Sequence, residues 1–238
     1  MATLSNVKLV KQDATIDIKN IDDLTVDSVD KDSSKHGELF PNSVRCIITG
    51  PSGSGKTNVL FNLLTSKNGL RFQNLYIFSK TLSQGKYQLL ERILNNVPEV
   101  SYFKFNANDD IIQPNEAKPF SIFVFDDVAL ENHDAIRNYF AMGRHNNIDL
   151  IYIGQTYSKI PKQLIRDNVN LIIVFKQDET NLKHIHAEHV GTDLPWDEFK
   201  KLCSKVWVNT FDFLVIAKER PINNGRYRMG FDKFIVLQ

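Results

Sequence analysis

The 238-residue sequence is poor in cysteine, contains no long apolar run and carries almost no surplus charge. Each shortage excludes something. Only Cys46 and Cys203 are present, so a four-cysteine zinc site is impossible. Cys46 lies inside an apolar run, and both thiols are expected to be reduced, as in a cytosolic or nuclear protein. No stretch approaches the roughly 18 apolar residues that a membrane span requires. The N-terminus, Met-Ala-Thr-Leu-Ser-Asn-Val-Lys, lacks the apolar core of a secretory signal. Twenty-nine Lys and Arg against 28 Asp and Glu leave a net charge of +1. That excludes a uniformly basic nucleic-acid coat but leaves room for a local basic face. An Asn-Lys-x-Asp guanine clamp is also missing, which argues against a GTP-binding switch. With 42% hydrophobic and 24% charged residues, the chain has the makings of one well-packed domain.

The charge that is present is segregated. Residues 1–40 hold five lysines against eight acids, whereas 199–238 hold eight Lys or Arg against three acids. Residues 1–40 read as an acidic N-terminal arm, in which Ala14 to Ile18 alternates like an edge strand and Asp22 to Gly37 reads as a solvated linker. Residues 41–238 form the expected domain. Short apolar, β-branched runs (Val44 to Thr49, Leu75 to Phe78, Ser121 to Phe125, Leu150 to Gly154, Asn170 to Phe175) alternate there with helical patterns. The helical patterns open at Thr57 and cover Lys86 to Asn95, Asn132 to Met142 and, more briefly, Pro161 to Asp167. Near-continuous apolar strands separated by helices predict an α/β fold with a parallel sheet buried on both faces. Two further helices, Glu179 to His189 and Pro195 to Leu202, precede strand-like runs from Phe211 to Ala217 and Tyr227 to Leu237. The turn Pro221 to Gly225 between those runs predicts a terminal antiparallel hairpin.

The segment Gly50-Pro51-Ser52-Gly53-Ser54-Gly55-Lys56-Thr57 matches G-x-x-x-x-G-K-[ST] in full, between a strand and a helix. Its glycines let successive backbone N–H groups turn toward a phosphate, and the helix that follows adds its positive end. Lys56 is the candidate for the β- and γ-phosphate oxygens and Thr57 for Mg²⁺, in an ATP site. Asn58 completes the candidate nucleotide-binding segment.

Seventy residues after Lys56, the strand Ser121 to Phe125 ends in Asp126 and Asp127. The first carboxylate is the candidate for the Mg²⁺ shell and the second for a general base that polarises water. Asp127 is shorter than the Glu usual at that place in ATP hydrolases, and taken alone the pair could merely be a strand-ending turn. Gln155 ends the strand Leu150 to Gly154. It is either a strand cap or, where a strand is inserted between the phosphate-loop strand and the metal-site strand, the polar group beside the γ-phosphate.

The block Gly143-Arg144-His145-Asn146-Asn147, the segment Gln155-Thr156-Tyr157, the block Arg166-Asp167-Asn168 and the Asp126–Asp127 pair together resemble the poxvirus-type virion DNA-packaging ATPases. These belong to the FtsK/HerA superfamily and occur in large DNA viruses, virophages and Maverick/Polinton elements. The resemblance covers roughly residues 43–175. It implies a RecA-like P-loop domain with an additional strand, working as a ring, with a hexamer expected, that pumps double-stranded DNA into a capsid with ATP and Mg²⁺. A capsid protein becomes a candidate partner, no membrane partner is implied, and the expected location is the host cytoplasm or nucleus. A ring motor completes its site with a neighbour's arginine. Arg144 and Arg166 are the candidates, and a salt-bridged surface arginine is the plain alternative for each.

Three features lie outside the resemblance. His184, His186 and His189 could pair on a metal, but a polar helix face is the better reading. The basic set Lys200, Lys201, Lys205, Lys218, Arg220, Arg226, Arg228 and Lys233 could follow a DNA backbone or be a solvated surface, with Arg226 and Arg228 expected on one strand face. Trp196, Trp207 and Phe213 read as core. Among functions, the rivals to a DNA-translocating ATPase are a nucleotide or nucleoside kinase, a helicase or pump unconnected with packaging, and a capsid subunit with vestigial nucleotide binding.

Overall fold

The structure is a computed structural model that describes residues 35–106, 109, 111–128, 133–142, 147–163 and 165–237. The proposed strand at 14–18, nearly all of the arm and Arg144 lie outside the described residues.

Six parallel strands carry the fold: β1 (Arg45–Thr49), β2 (Asn74–Ser79), β3 (Ser101–Asn106), β4 (Ser121–Asp126), β5 (Ile148–Gly154) and β6 (Leu171–Phe175). Three antiparallel strands follow, β7 (Phe213–Ala217), β8 (Tyr227–Met229) and β9 (Lys233–Phe234). The sheet order is β3-β2-β4-β5-β1-β6-β7-β8-β9. Strand β5 is thus inserted between the phosphate-loop strand β1 and the acid-bearing strand β4. The register aligns Thr49 with Gly154 and Asp126 with Ile153, so three functional loops leave one edge of the sheet at the same height.

Residue alternation sorts the strands onto two cores. Cys46, Ile48, Ile77, Val124 and Ile153 pack against helices α1 (Lys56–Thr65) and α2 (Gly85–Leu94). Ile47, Phe78, Phe125, Tyr152 and Val174 pack against α3 (His133–Met142), α4 (Glu179–Ile185) and α5 (Trp196–Val206). On this second face, cross-strand register stacks Phe103, Tyr76 and Phe123, with centroids 4.5 and 4.3 Å apart. Phe105, Phe78 and Phe125 form a second row, at 4.6 and 5.5 Å. Each such pair contributes about 0.5–1.5 kcal/mol beyond its buried area.

Several sequence expectations shift in detail. Strand β3 was not expected: Ser-Tyr-Phe-Lys-Phe-Asn alternates as an edge strand, half-exposed and carrying Lys104. The helix expected from Pro161 to Asp167 is not found as such: among the described residues a short 3-10 turn, Arg166–Asn168, lies at its end, with Arg166 N–H bonded to Pro161 O and Asp167 N–H to Lys162 O, both at 3.2 Å. The expected helix to His189 stops being regular at Ile185 and continues as one wider turn, His186–Val190, with Gly191 N–H bonded to His186 O at 2.7 Å. The run Tyr227 to Leu237 is broken by a turn at Gly230, whose φ is +65°, leaving β8 and the two-residue β9.

Lys35–Phe40, which the sequence reading assigned to the arm, packs on the domain. Asp149 Oδ1 accepts from Val44 N–H at 2.8 Å, and its Oδ2 accepts from Lys35 Nζ at 2.6 Å and lies 3.0 Å from His36 Nε2. His36 Nδ1 accepts from Arg71 N–H at 3.0 Å, so the ring proton belongs on Nε2, directed at Asp149. This strap pins the first residues of β5. Among the described residues no helix is long and apolar enough to cross a membrane.

Candidate active site

The loop 50–57 follows β1 because an apolar strand ends there in residues that cannot continue it. Gly50 sits so close to its surroundings that a Cβ would lie 2.6 Å from Phe175 Cβ and 2.8 Å from Ser54 Oγ. Gly53 and Gly55 hold φ of +78° and +107°, a region that glycine alone enters freely. Helix α1 then starts with Gly55 as its cap, with no side-chain acceptor there and no acidic residue in its first turn. Its positive end therefore remains unneutralised by the chain itself, the condition for holding an anion.

Lys56 Nζ donates to Gly50 O at 2.7 Å and Pro51 O at 2.8 Å. Burial holds its pKa below the usual lysine value, while Asp126 and Asp127 favour the charged form. The Ser54 hydroxyl is buried without a hydrogen-bond partner.

Asp126 ends β4 and is only 8% exposed. Its Oδ2 accepts from Tyr87 O–H at 2.5 Å and Ser79 O–H at 3.3 Å. Burial pushes its pKa up, the two hydroxyls oppose that shift, and Asp127 adds to it. A buried carboxylate beside a second one is short of positive charge, which suits a bound cation. Asp127 is exposed and has φ +52°. Its N–H is bonded to Ile153 O at 3.2 Å, so the sheet holds a non-glycine residue in a conformation of order 1–3 kcal/mol less favourable.

Lys56, Thr57, Asp126, Asp127 and Gln155 all line one cavity of about 470 Å³. A partnerless loop hydroxyl, a lysine satisfied only by loop carbonyls and an undercompensated acid pair fit a magnesium-bound nucleotide triphosphate. Loop 50–58 would hold its phosphates, with Thr57 and Asp126 on the metal. Sequence reasoning missed Tyr87 and Ser79, which orient Asp126, and Thr81, Gln84 and Lys86, which line the same cavity. Ser79 is the last residue of β2, and the sequence signal for the others is the largely polar run from Lys80 to Tyr87 that follows it.

Arg166 is not brought to this cavity. Its guanidinium bonds Glu188 at 2.7 Å and lies 5.1 Å over the Tyr157 ring, with the residue 7% exposed. Of the two readings for Arg166, a neighbour-completing arginine or a salt-bridged one, the ion pair with Glu188 matches the second, with the pair buried rather than on the surface. The same network corrects the histidine reading. The wider turn at 186–190 rotates His189 inward, where its Nε2 lies 2.6 Å from Tyr157 O–H. Tyr157 has one proton and Glu188 Oε2, at 2.7 Å, can only accept it. The hydroxyl therefore donates to Glu188 and accepts from His189 Nε2–H. Burial, reinforced by Lys218, Arg166 and Arg226, pushes the His189 pKa down to about 3. His186 Nε2 bonds Leu194 O at 2.8 Å, and among the described residues no group of three or more His, Cys, Asp or Glu is placed to hold a metal ion.

Part of the C-terminal basic set is committed within the chain. Arg226 Nε bonds Asp193 at 2.8 Å, whereas Arg228 bonds Leu39 O at 3.0 Å. The two guanidiniums thus reach different partners, and Arg226 lies just ahead of β8 rather than within it. Arg220 donates to Glu38 O. Lys200 and Lys201 pair with Glu179 and Glu198 at 3.8 and 3.3 Å.

Comparison with known proteins places this site in a family. The family model described as Poxvirus A32 protein matches residues 32–190. Among solved structures, the genome packaging NTPase B204 of Sulfolobus turreted icosahedral virus 2 is similar in three complexes. With sulfate the TM-score is 0.51 at 13% identity, over 76% of this chain and 94% of that one. With ATP-gammaS it is 0.51 at 12% identity, over 82% and 98%. With AMPPCP it is 0.50 at 13% identity, over 79% and 96%. At such identities the likeness is one of fold. No curated protein sequence matches the chain.

Proposed function

Since the chain belongs to the poxvirus A32 protein family, we propose that it is an ATP-hydrolysing motor that moves double-stranded DNA, with packaging of a viral genome as its task. One observation carries this reading above the others. Insertion of β5 between β1 and β4 brings Gln155 into the same cavity as Lys56, Asp126 and Asp127. A phosphate loop alone serves transfer to many acceptors, but an exposed second acid beside a polar strand end serves attack by water.

In this reading Lys56 exchanges the Gly50 and Pro51 carbonyls for phosphate oxygens, and the loop N–H groups with the α1 terminus hold the remaining charge. Thr57 and Asp126 are the residues that would hold a magnesium ion, which would supply charge neutralisation to the phosphates. Tyr87 and Ser79 fix the orientation of Asp126 through its Oδ2. Asp127 accepts a proton from the attacking water, and Gln155 orients that water. Arg144, of the two arginines considered, is the candidate for completing a neighbour's site in a ring. The viral complexes with ATP-gammaS and AMPPCP support nucleotide binding in a chain of this fold.

The test is ATP turnover by the purified protein with and without long duplex DNA. Stimulation by duplex DNA is expected. Acceleration instead by a small hydroxyl acceptor, with release of its phosphorylated form, would establish a kinase.

A further inference from the structure

The phosphate cavity does not end at the loop. A second hollow of about 560 Å³ continues from it along α1, and Gly55, Asn58 and Phe211 line both. That volume is within the range of small-ligand pockets. Where the first cavity is polar, this one is aromatic. Rings of Phe175, Phe213, Phe231 and Phe40 follow one another along its wall, with successive centroids 5.4, 5.4 and 5.7 Å apart.

Phe211 stands at the junction. It is 62% exposed, so its ring is open to a ligand. Its position is nevertheless held. The turn before β7 is closed by Asn209 N–H to Asp212 Oδ2 at 2.6 Å, Asn209 Nδ2 to the same oxygen at 3.0 Å, and Asp212 N–H to Asn209 O at 3.2 Å. A Cβ at Gly55 would lie 3.4 Å from Phe211 Cδ1 and 3.5 Å from Phe175 Cε1. The rings therefore begin where the phosphate loop ends.

We propose that this hollow is the nucleobase subsite of the nucleotide whose phosphates occupy loop 50–57, with Phe211 as the stacking platform. The inference rests on the phosphate-site reading above and extends it to a part of the ligand that reading does not place. A nucleotide anchored at the α1 N-terminus has two ways to direct its sugar and base. One leads toward Asp126, Asp127 and Gln155, where the chemistry needs water and charge. The other leads into the aromatic hollow, where a flat, weakly polar ring finds partners. The polar groups there suit a purine with an exocyclic amine. Asn62 uses one of its two amide N–H groups on Asn58 O at 2.8 Å, which leaves a second N–H as donor and Oδ1 as acceptor, and Asp232 contributes a carboxylate that accepts.

The experiment compares two probes, each with magnesium: a non-hydrolysable ATP analogue and inorganic tripolyphosphate, titrated by calorimetry. Wild type should bind the analogue more tightly than tripolyphosphate. Phe211→Ala should weaken the analogue roughly tenfold, as expected for loss of one stacking partner, and leave tripolyphosphate unchanged. Phe211→Tyr should restore the analogue. Because Phe211 is largely exposed, its loss leaves the core intact. Unchanged analogue affinity in Phe211→Ala, or a matched fall for both probes, overturns the subsite. Equal affinity of wild type for the two probes overturns it while leaving the phosphate site standing. Binding of neither probe by wild type overturns both.

Discussion

Burying Asp126 as a charge costs the unliganded fold. Burial lifts its pKa above the ordinary carboxylate value, so the folded chain holds that proton to higher pH than the unfolded chain does. The unliganded protein therefore loses stability as pH rises from the ordinary carboxylate range through the raised value. Asp126→Asn removes the buried charge, keeps acceptors for Tyr87 and Ser79, and should raise the thermal midpoint of the unliganded protein at neutral pH. The same variant should lose the magnesium-dependent part of nucleotide binding, measured by calorimetry with and without EDTA. His189 has the opposite sign. Its pKa is pushed down to about 3, so the unfolded chain takes up a proton as pH falls below about 6.5 while the folded one does not. Thermal stability should decline between those two values on acidification, and His189→Gln should make that decline shallower. At the loop, Lys56→Ala should abolish the nucleotide-dependent rise in thermal midpoint, whereas Asp127→Asn should keep the rise and lose turnover.

At the scale of elements, Gly50 joins strand to loop under the tightest packing in the site. Gly50→Ala places a methyl group 2.6 Å from the Phe175 side chain. The loop must then shift as a unit, and nucleotide affinity should fall at least tenfold by calorimetry while the far-ultraviolet spectrum stays native. Strands β1, β4 and β5 were readable from sequence because each is an apolar run ending in chemistry: glycine, paired acids, glutamine. Strand β3 was not, since an edge strand half in water is less apolar and its Lys104 reads as a surface residue. The inward turn of His189 was not readable either. A regular helix would carry His186 and His189 on neighbouring positions, and only the wider turn sends one of them into the core. The buried pairing of Arg166, a candidate for completing a neighbour's site, was not readable because its partners Glu188 and Tyr157 are 22 and nine positions away in the chain. Phe211 gave no signal at all. One exposed ring in a short turn is unremarkable until the phosphate loop is found beside it.

At the scale of the whole molecule, the sheet presents one working edge. The phosphate loop, the Asp126–Asp127 pair and Gln155 all leave the parallel strands there, and a ring would set a neighbour's arginine against it. If Arg144 acts in trans, mixing wild-type with Arg144→Ala subunits should lower ATP turnover more steeply than the mutant fraction. A strictly proportional fall would show that each subunit is complete in itself.

Strand β5 is hydrogen-bonded on both sides by β1 and β4, and all of its residues but Gly154 are buried. At its start Asp149 is moored to Lys35, His36 and Val44. A strand so clamped is a fixed post, not a piston. If Gln155 at its far tip senses hydrolysis, the response is expected to be exported sideways, through the segments that leave the sheet after β2, β4 and β5, rather than back along β5. Amide exchange should therefore stay slow in β5 whichever nucleotide is bound, with the state-dependent changes gathered in those flanking segments.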